Sequence, residues 1–147
     1  MSLTDTIKEA VKAAMRAKEK ERLGALRLMQ AEFKRVEVDE RIEIDDARAI
    51  AILDKMCKQR RDSITQYMDA GREELAAIEQ AEINVISEFM PEALSEEELA
   101  RLVADAIAQS GAAGMQDMGK VMGILKPQVQ GRADMAQISQ LVKSQLG

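Results

Sequence analysis

The chain has 147 residues, a net charge of −5, 46% hydrophobic residues and only 2% aromatic residues. It has no His and one Cys, which excludes imidazole catalysis, His-ligated metals, internal disulfides and Cys-rich zinc sites. The scarcity of aromatic side chains also excludes the stacking surfaces that read single-stranded bases. Chemistry by carboxylates or lysine stays open, but we assign no catalytic residue, no metal and no cofactor to this chain.

Membrane and secretion signals are missing from the sequence. No uncharged run reaches 18 residues, and the first ten residues lack a basic segment followed by an apolar one. The single Cys fits a reducing compartment. We therefore predict a cytoplasmic protein that does not act at a membrane.

The spacing of apolar residues in the first half is helical. Apolar residues recur at every fourth position from Leu3 to Met15. The polar segment 16–22 then forms either an exposed turn between two helices or a bend in one. Residues 36–46 alternate briefly as in a strand but have no partner strand, so we favour a helix end and a loop. Asp45 is suited to cap the next helix.

Two further helices are predicted before Pro91. The first covers residues 46–70 and stops at Gly71. The second covers residues 73–90 and has Leu75, Ile78, Val85, Ile86 and Phe89 on its apolar side. The buried face of the first is expected to carry Ile50, Leu53, Cys57, Ile64 and Met68, so we predict a buried, unreactive cysteine.

The composition changes after residue 91. Ser95 and the three glutamates after it form a capping box that starts a helix ending near Ser110. A second helix begins near Asp117 and extends to residue 125 or past Pro127. The last helix begins at Asp134. We predict an all-α fold of seven helices. An N-terminal helical domain with long helices spans residues 1–91, and a small three-helix C-terminal domain spans residues 92–147.

Basic residues are the main candidates for binding. Residues 1–75 carry 16 basic and 16 acidic residues, whereas residues 76–147 carry 5 and 10. The basic run 58–61, with Lys58, Arg60 and Arg61, lies on the third helix. Lys58 and Arg61, with Lys55 further back, recur at a spacing of three and form a stripe that suits phosphates. The alternative is an ordinary solvated face in which Asp54 and Asp62 pair with these cations.

The C-terminal half contributes three more basic candidates. Lys120 lies between Gly119 and Gly123, where glycines serve either close helix packing or contact of the lysine with an anion. Lys126 follows on the same predicted helix. Arg132 lies in the turn 131–134, which is explained either by turn chemistry or by phosphate binding.

An ordered set of segments resembles the YqeY-like family, whose C-terminal part is similar to the tail domain of the B subunit of tRNA-dependent amidotransferase. The set covers nearly the whole chain. Its members are AMRAKEKERLGALRLM (14–29), KQRRDSI (58–64), AGR (70–72), EINVISEFMP (82–91), LSEEEL (94–99), DMGKVMG (117–123), GRAD (131–134) and LVKSQL (141–146).

The resemblance implies a helical domain followed by a small helical tail domain. It also implies a link to carbon–nitrogen ligation with glutamine as amide donor, in which the tail domain holds tRNA and carries no chemistry. We therefore favour a non-catalytic accessory protein that binds tRNA, an amidotransferase or an aminoacyl-tRNA synthetase. The alternative is a helical protein–protein adaptor without RNA binding. The acidic C-terminal half and its methionines support this alternative. An enzyme acting by itself is the least favoured hypothesis.

Overall fold

The computed structural model describes residues 2–146, which form seven α-helices and no strand. The all-α prediction with seven helices is confirmed. The contacts divide the chain into two compact units, Met1–Met90 (unit 1) and Pro91–Gly147 (unit 2). Independent folding of these parts stays a prediction. The helices are α1 (Leu3–Ala17), α2 (Lys20–Glu40), α3 (Asp46–Asp69), α4 (Glu73–Ser87), α5 (Glu96–Ser110), α6 (Met118–Val129) and α7 (Met135–Leu146), and a 3-10 turn covers Met115–Asp117.

The connections in unit 1 are set by local backbone conformation and by one side-chain cap. Lys18 adopts a left-handed conformation (φ 58°) and ends α1, so the polar segment 16–22 contains a turn between two helices. Arg41, with φ 55°, ends α2 in the same way, which confirms a helix end and loop in place of a strand. The Asp45 side chain then accepts a hydrogen bond from the Arg48 amide at 2.8 Å and caps α3.

The core of unit 1 is built around the antiparallel pair α3 and α4, which share the most extensive contact, with α1 and α2 packed beside them. Burial of apolar side chains stabilises this arrangement by roughly 1.5–3 kcal/mol for each large residue. The largest fully buried side chains are Ile7, Leu26, Met29, Leu53 and Ile86.

Three residues of the predicted apolar stripes are exposed, namely Met15, Met68 and Ile78. A strict repeat of four advances 40° per step relative to the 3.6-residue helix, so the stripe that starts at Leu3 has rotated off the core by Met15. Ala14 is buried there instead. Ile78 lies about 200° around α4 from the buried Ala76, so it is on the opposite face of that helix. On α3, the core cluster of unit 1 has no member after Ile64, which leaves Met68 exposed.

Helix α4 ends at Ser87, three residues before the predicted end at Met90. The amides of the next three residues bond to carbonyls three residues back, at 3.0–3.2 Å, so the chain tightens into turns. Pro91 disfavours helical geometry at the residue before it, which accounts for the earlier stop.

Unit 2 is a three-helix arrangement with its own core. The Ser95 hydroxyl accepts a hydrogen bond from the Glu98 amide at 3.1 Å, as the capping box predicts, and Gly111 (φ 69°) ends α5. Helix α6 continues past Pro127 to Val129. The Asp134 carboxylate accepts from the Ala136 amide at 3.0 Å and caps α7. The buried core residues are Leu99, Val103, Ala106, Val121, Leu125, Val129, Ile138 and Val142.

Candidate nucleic-acid interface

Lys58 and Arg61 lie on the solvent-exposed side of α3. Neither side chain takes part in an ion pair with another described residue. The pairs with Asp54 and Asp62 that the spacing allows are therefore not formed. Both cations are accessible to an anion from solvent, although the two aspartates share their helix.

Arg60 has a different environment from its neighbours. Its Nε lies 3.0 Å from Glu82 Oε2 and 4.0 Å from Glu79 Oε2, and both carboxylates belong to α4. Its Nη1 also donates to the Met56 carbonyl at 3.3 Å, and the side chain is only 15% exposed. Arg60 thus links α3 to α4, and this contact competes with any phosphate for the guanidinium.

Lys120 and Lys126 lie on α6 with exposed side chains. Lys120 Nζ is 3.8 Å from Asp117 Oδ1 and its side chain is 71% exposed, so this pair is weak. The same Asp117 accepts a hydrogen bond from the Ala113 amide at 3.0 Å, which holds its other oxygen. Lys126 forms no ion pair with the described residues.

The side of α6 between the two lysines has almost no side chains. Val121, Leu125 and Val129 recur every four residues and face the core. The matching stripe on the opposite side is Gly119, Gly123 and Pro127, two residues earlier in each case. We call this stripe with Lys120 and Lys126 the α6 face; the lysines flank the stripe on its two sides.

The two glycines of the α6 face do not serve helix packing within the described structure. A Cβ placed at Gly119 or Gly123 would meet no atom within 4 Å. The packing interpretation of these residues is therefore wrong, because open space surrounds both. Gly123 lies in the interior of α6, where a glycine costs about 1 kcal/mol relative to alanine, and no contact among the described residues of unit 2 offsets this cost. Gly119 is the second residue of α6, where the cost is smaller.

Pro127 adds a polar group to the α6 face. Proline has no N–H, so the carbonyl oxygen of Gly123, four residues earlier, lacks its regular helical donor. Because Gly123 is exposed and has no side chain, this carbonyl is an accessible acceptor. The α6 face therefore combines two cations, a bare stretch of helix backbone and one carbonyl that lacks its regular helical donor.

Arg132 has a structural role in unit 2. Its Nε donates to the Glu92 carbonyl at 3.1 Å, and its own carbonyl accepts from the Leu94 amide at 2.9 Å. The side chain is half-buried. These bonds tie the segment before α5 to the turn between α6 and α7, where Gly131 has a φ of 76°. The turn interpretation of residues 131–134 accounts for these hydrogen bonds and for the conformation of Gly131.

A polar groove of about 340 Å³ lies between α2 and α3 in unit 1. Arg35 pairs with Glu32 there, and Arg48 pairs with Glu40. The hydrogen bond from Arg35 lowers the pKa of Glu32, although partial burial acts in the opposite direction. Across residues 2–146, no group of Asp, Glu, Cys or His side chains is arranged to hold a metal ion.

Cys57 and the methionines fill space in the cores. Cys57 is 3% exposed, as predicted, and burial raises the pKa of its thiol above 9.0. Met118, Met122 and Met135 pack against the core of unit 2, whereas Met115 is 45% exposed. Most of the methionines that supported the adaptor alternative therefore pack inside unit 2 and are not available to a partner. None of the described helices has the length and hydropathy needed to cross a bilayer.

Comparison with characterised sequences finds relatives that share one name, "Altered inheritance of mitochondria protein 41, mitochondrial". The protein from Pyrenophora tritici-repentis is 29% identical over 140 residues, which are 93% of this chain and 77% of the relative. The protein from Eremothecium gossypii is 36% identical over 104 residues, 68% of this chain and 56% of the relative. The protein from Vanderwaltozyma polyspora is 32% identical over 85 residues, which are 57% of this chain and 46% of the relative.

The predicted cytoplasmic location is wrong on this finding, because the relatives are all named as mitochondrial proteins. The prediction relied on a single cysteine and on the residues at the N-terminus. One buried thiol is compatible with any reducing compartment, so the cysteine count cannot distinguish the cytoplasm from another of them.

A family model provides the comparison that covers the chain most fully. The family described as "Yqey-like protein" matches residues 4–146, which include every helix described above except the first residue of α1. The match spans both units and agrees with the ordered set of segments noted in the sequence. The chain therefore belongs to the YqeY-like family.

Proposed function

We propose that this protein is a non-catalytic RNA-binding accessory factor that holds folded RNA, with tRNA as the expected class, against the α6 face. The observation that carries the proposal is the exposed pair Gly119 and Gly123 between Lys120 and Lys126. A lysine ammonium is a strong phosphate ligand, and glycines let a backbone approach closely.

The kind of RNA follows from the chemistry of the α6 face. Three aromatic residues in the whole chain offer little stacking for unpaired bases, whereas folded RNA is held by phosphates, shape and 2′-hydroxyls. The carbonyl of Gly123, which lacks its regular helical donor, is suited to accept from a 2′-hydroxyl, and the two lysines are suited to phosphates on either side. The resemblance of the C-terminal part to an amidotransferase tail domain favours tRNA among folded RNAs.

The other four basic candidates divide into two that are proposed to contact RNA and two that stabilise the fold. Lys58 and Arg61 are exposed on unit 1 and form no ion pair with residues 2–146, so they are proposed as additional phosphate contacts. Arg60 and Arg132 are engaged in contacts within their units, so we expect them to affect stability more than RNA affinity. The names of the relatives refer to inheritance of mitochondria and do not state a molecular activity.

A pair of charge-reversal variants tests the proposal. Lys120→Glu with Lys126→Glu should weaken binding of tRNA by at least about tenfold and reduce the salt slope by about 2, one for each phosphate contact. The matched control is Arg101→Glu with Lys143→Glu, which changes the charge of unit 2 equally at exposed positions away from α6. Equal losses in both double variants would show a general charge effect and would overturn the assignment to α6.

A further inference from the structure

The exposed side of α2 has a pattern that RNA binding at α6 does not use. Gly24, Leu28, Ala31, Arg35 and Val38 recur at alternating intervals of four and three residues, and all are exposed. This is the spacing of the a and d positions through which helices pair in coiled coils. Leu28 is 45% and Val38 is 61% exposed. We call these five residues the α2 seam.

One edge of the α2 seam is basic. Lys20, Arg27 and Lys34 are spaced seven residues apart, so they lie in one row along the helix. All three are exposed, and none forms an ion pair with another described residue. The row corresponds to the g positions of the heptad whose a and d positions form the seam.

The other edge of the α2 seam is acidic. Glu32 and Asp39 are also seven residues apart and occupy the e positions. Both contact Arg35 within α2: the Arg35 Nε lies 3.1 Å from Glu32 Oε1 and its Nη1 lies 3.1 Å from Asp39 Oδ2. A carboxylate accepts about four hydrogen bonds, so each retains capacity for a second cation.

Opposite charge on the two edges restricts what fits the α2 seam. In a parallel pair of helices, each g residue faces the e residue five positions later on the other helix. Arg27 would thus face Glu32 of a second copy, and Lys34 would face Asp39 of that copy. Two-fold symmetry repeats both contacts, giving four attractive pairs.

Other occupants fit the α2 seam less well. An antiparallel pair would place basic edge against basic edge. RNA, an anionic lipid surface or a uniformly acidic protein would meet Glu32 and Asp39 directly. We infer that this chain forms a parallel two-fold dimer through the α2 seam, with a second copy of itself as the partner. Arg35 is a polar residue at an a position and would fix the register at a cost in stability.

Sedimentation equilibrium of the full chain over a wide concentration range tests the inference. The wild-type chain should show a reversible monomer–dimer equilibrium. Arg27→Glu with Lys34→Glu should weaken association by at least about tenfold, because four attractive pairs become repulsive. The control, Lys58→Glu with Arg61→Glu, makes the same charge change on α3 and should leave association unchanged. A wild-type chain that is monomeric throughout would overturn the inference.

A mixing experiment separates edge pairing from loss of folding. The second variant, Glu32→Lys with Asp39→Lys, should also be monomeric. An equimolar mixture of the two reversed variants restores all four opposite-charge pairs, so it should form a heterodimer while neither variant associates alone. Fluorescence energy transfer between labelled variants measures this directly. A mixture that stays monomeric, although a wild-type dimer exists, would show that α2 is not the interface.

Discussion

The guanidinium of Arg60 on α3 lies 3.0 Å from the Glu82 carboxylate on α4, with Glu79 of the same helix at 4.0 Å. The side chains of Arg60, Glu79 and Glu82 are 15%, 23% and 22% exposed. A cation that lies between two half-buried carboxylates holds the helices together and keeps like charges from repelling each other. Arg60 therefore contributes to the fold of unit 1.

Arg60→Ala should destabilise the protein by about 1–3 kcal/mol, because both carboxylates lose their shared cation. Urea denaturation followed by circular dichroism measures the change. Arg61→Ala provides the control, because the exposed Arg61 side chain pairs with no acidic group in the described part of the chain. This substitution should alter stability by under about 0.5 kcal/mol. If both substitutions cost the same, the link between α3 and α4 is not stabilising.

The Glu32–Arg35 contact predicts a pH dependence of stability. The hydrogen bond from Arg35 lowers the pKa of Glu32 below 4.5 in the folded state. The ionised Glu32 therefore contributes fully to the free energy of unfolding above pH 4.5, and this contribution is lost as the pH falls through the pKa of the folded state. Glu32 is 31% exposed, so the contribution is under about 1 kcal/mol.

Unfolding free energies measured from neutral pH down to pH 3 should therefore fall more for the wild type than for Glu32→Gln, which cannot ionise. The two chains should converge at the acidic end of the range. Parallel curves would contradict a folded-state pKa below 4.5 for this carboxyl.

Cys57 should react slowly with thiol reagents. It is 3% exposed, and burial raises its pKa above 9.0, so little thiolate exists at neutral pH. A coloured disulfide reagent should label the native chain at least about a hundred times more slowly than the urea-unfolded chain. Labelling at the unfolded rate in native buffer would contradict its burial against α4.

The glycines of the α6 face give a prediction in which stability and binding change in opposite directions. Gly119→Ala with Gly123→Ala should stabilise the protein by about 1 kcal/mol, mostly through Gly123 in the interior of α6, because alanine is the better helix former and both sites have room for a methyl group. The same variant should bind tRNA more weakly if RNA approaches this backbone. Higher stability with unchanged affinity would remove the glycines from the proposed interface.

The sequence predicts the helices well because their signals are local. Caps such as Asp45, Ser95 and Asp134 and breakers such as Gly111 act within one turn, and the structure confirms them. Exposure of Met68 depends instead on which other helices reach that position, which no local pattern encodes. The role of Arg60 was missed for the same reason, since Glu82 lies 22 residues away.

For the candidate interface too, the sequence predicts what depends on neighbouring residues and does not predict contacts with other helices. The lysines of α6 could be identified from the sequence, and their exposed positions follow from the helical period. Whether Gly119 and Gly123 pack against something depends on neighbours from other helices, so the sequence alone left helix packing and anion contact both open. One available signal was the stripe of Val121, Leu125 and Val129, which places the glycines on the opposite side of α6.

Titration of the full chain with fluorescent tRNA, and with an unstructured RNA of equal length, at several salt concentrations tests the central claim most directly. The proposal predicts tighter binding to tRNA and an affinity that falls steeply as salt rises, since lysine–phosphate contacts release counterions. Absence of binding at low salt, or equal affinity for both RNAs, would contradict it.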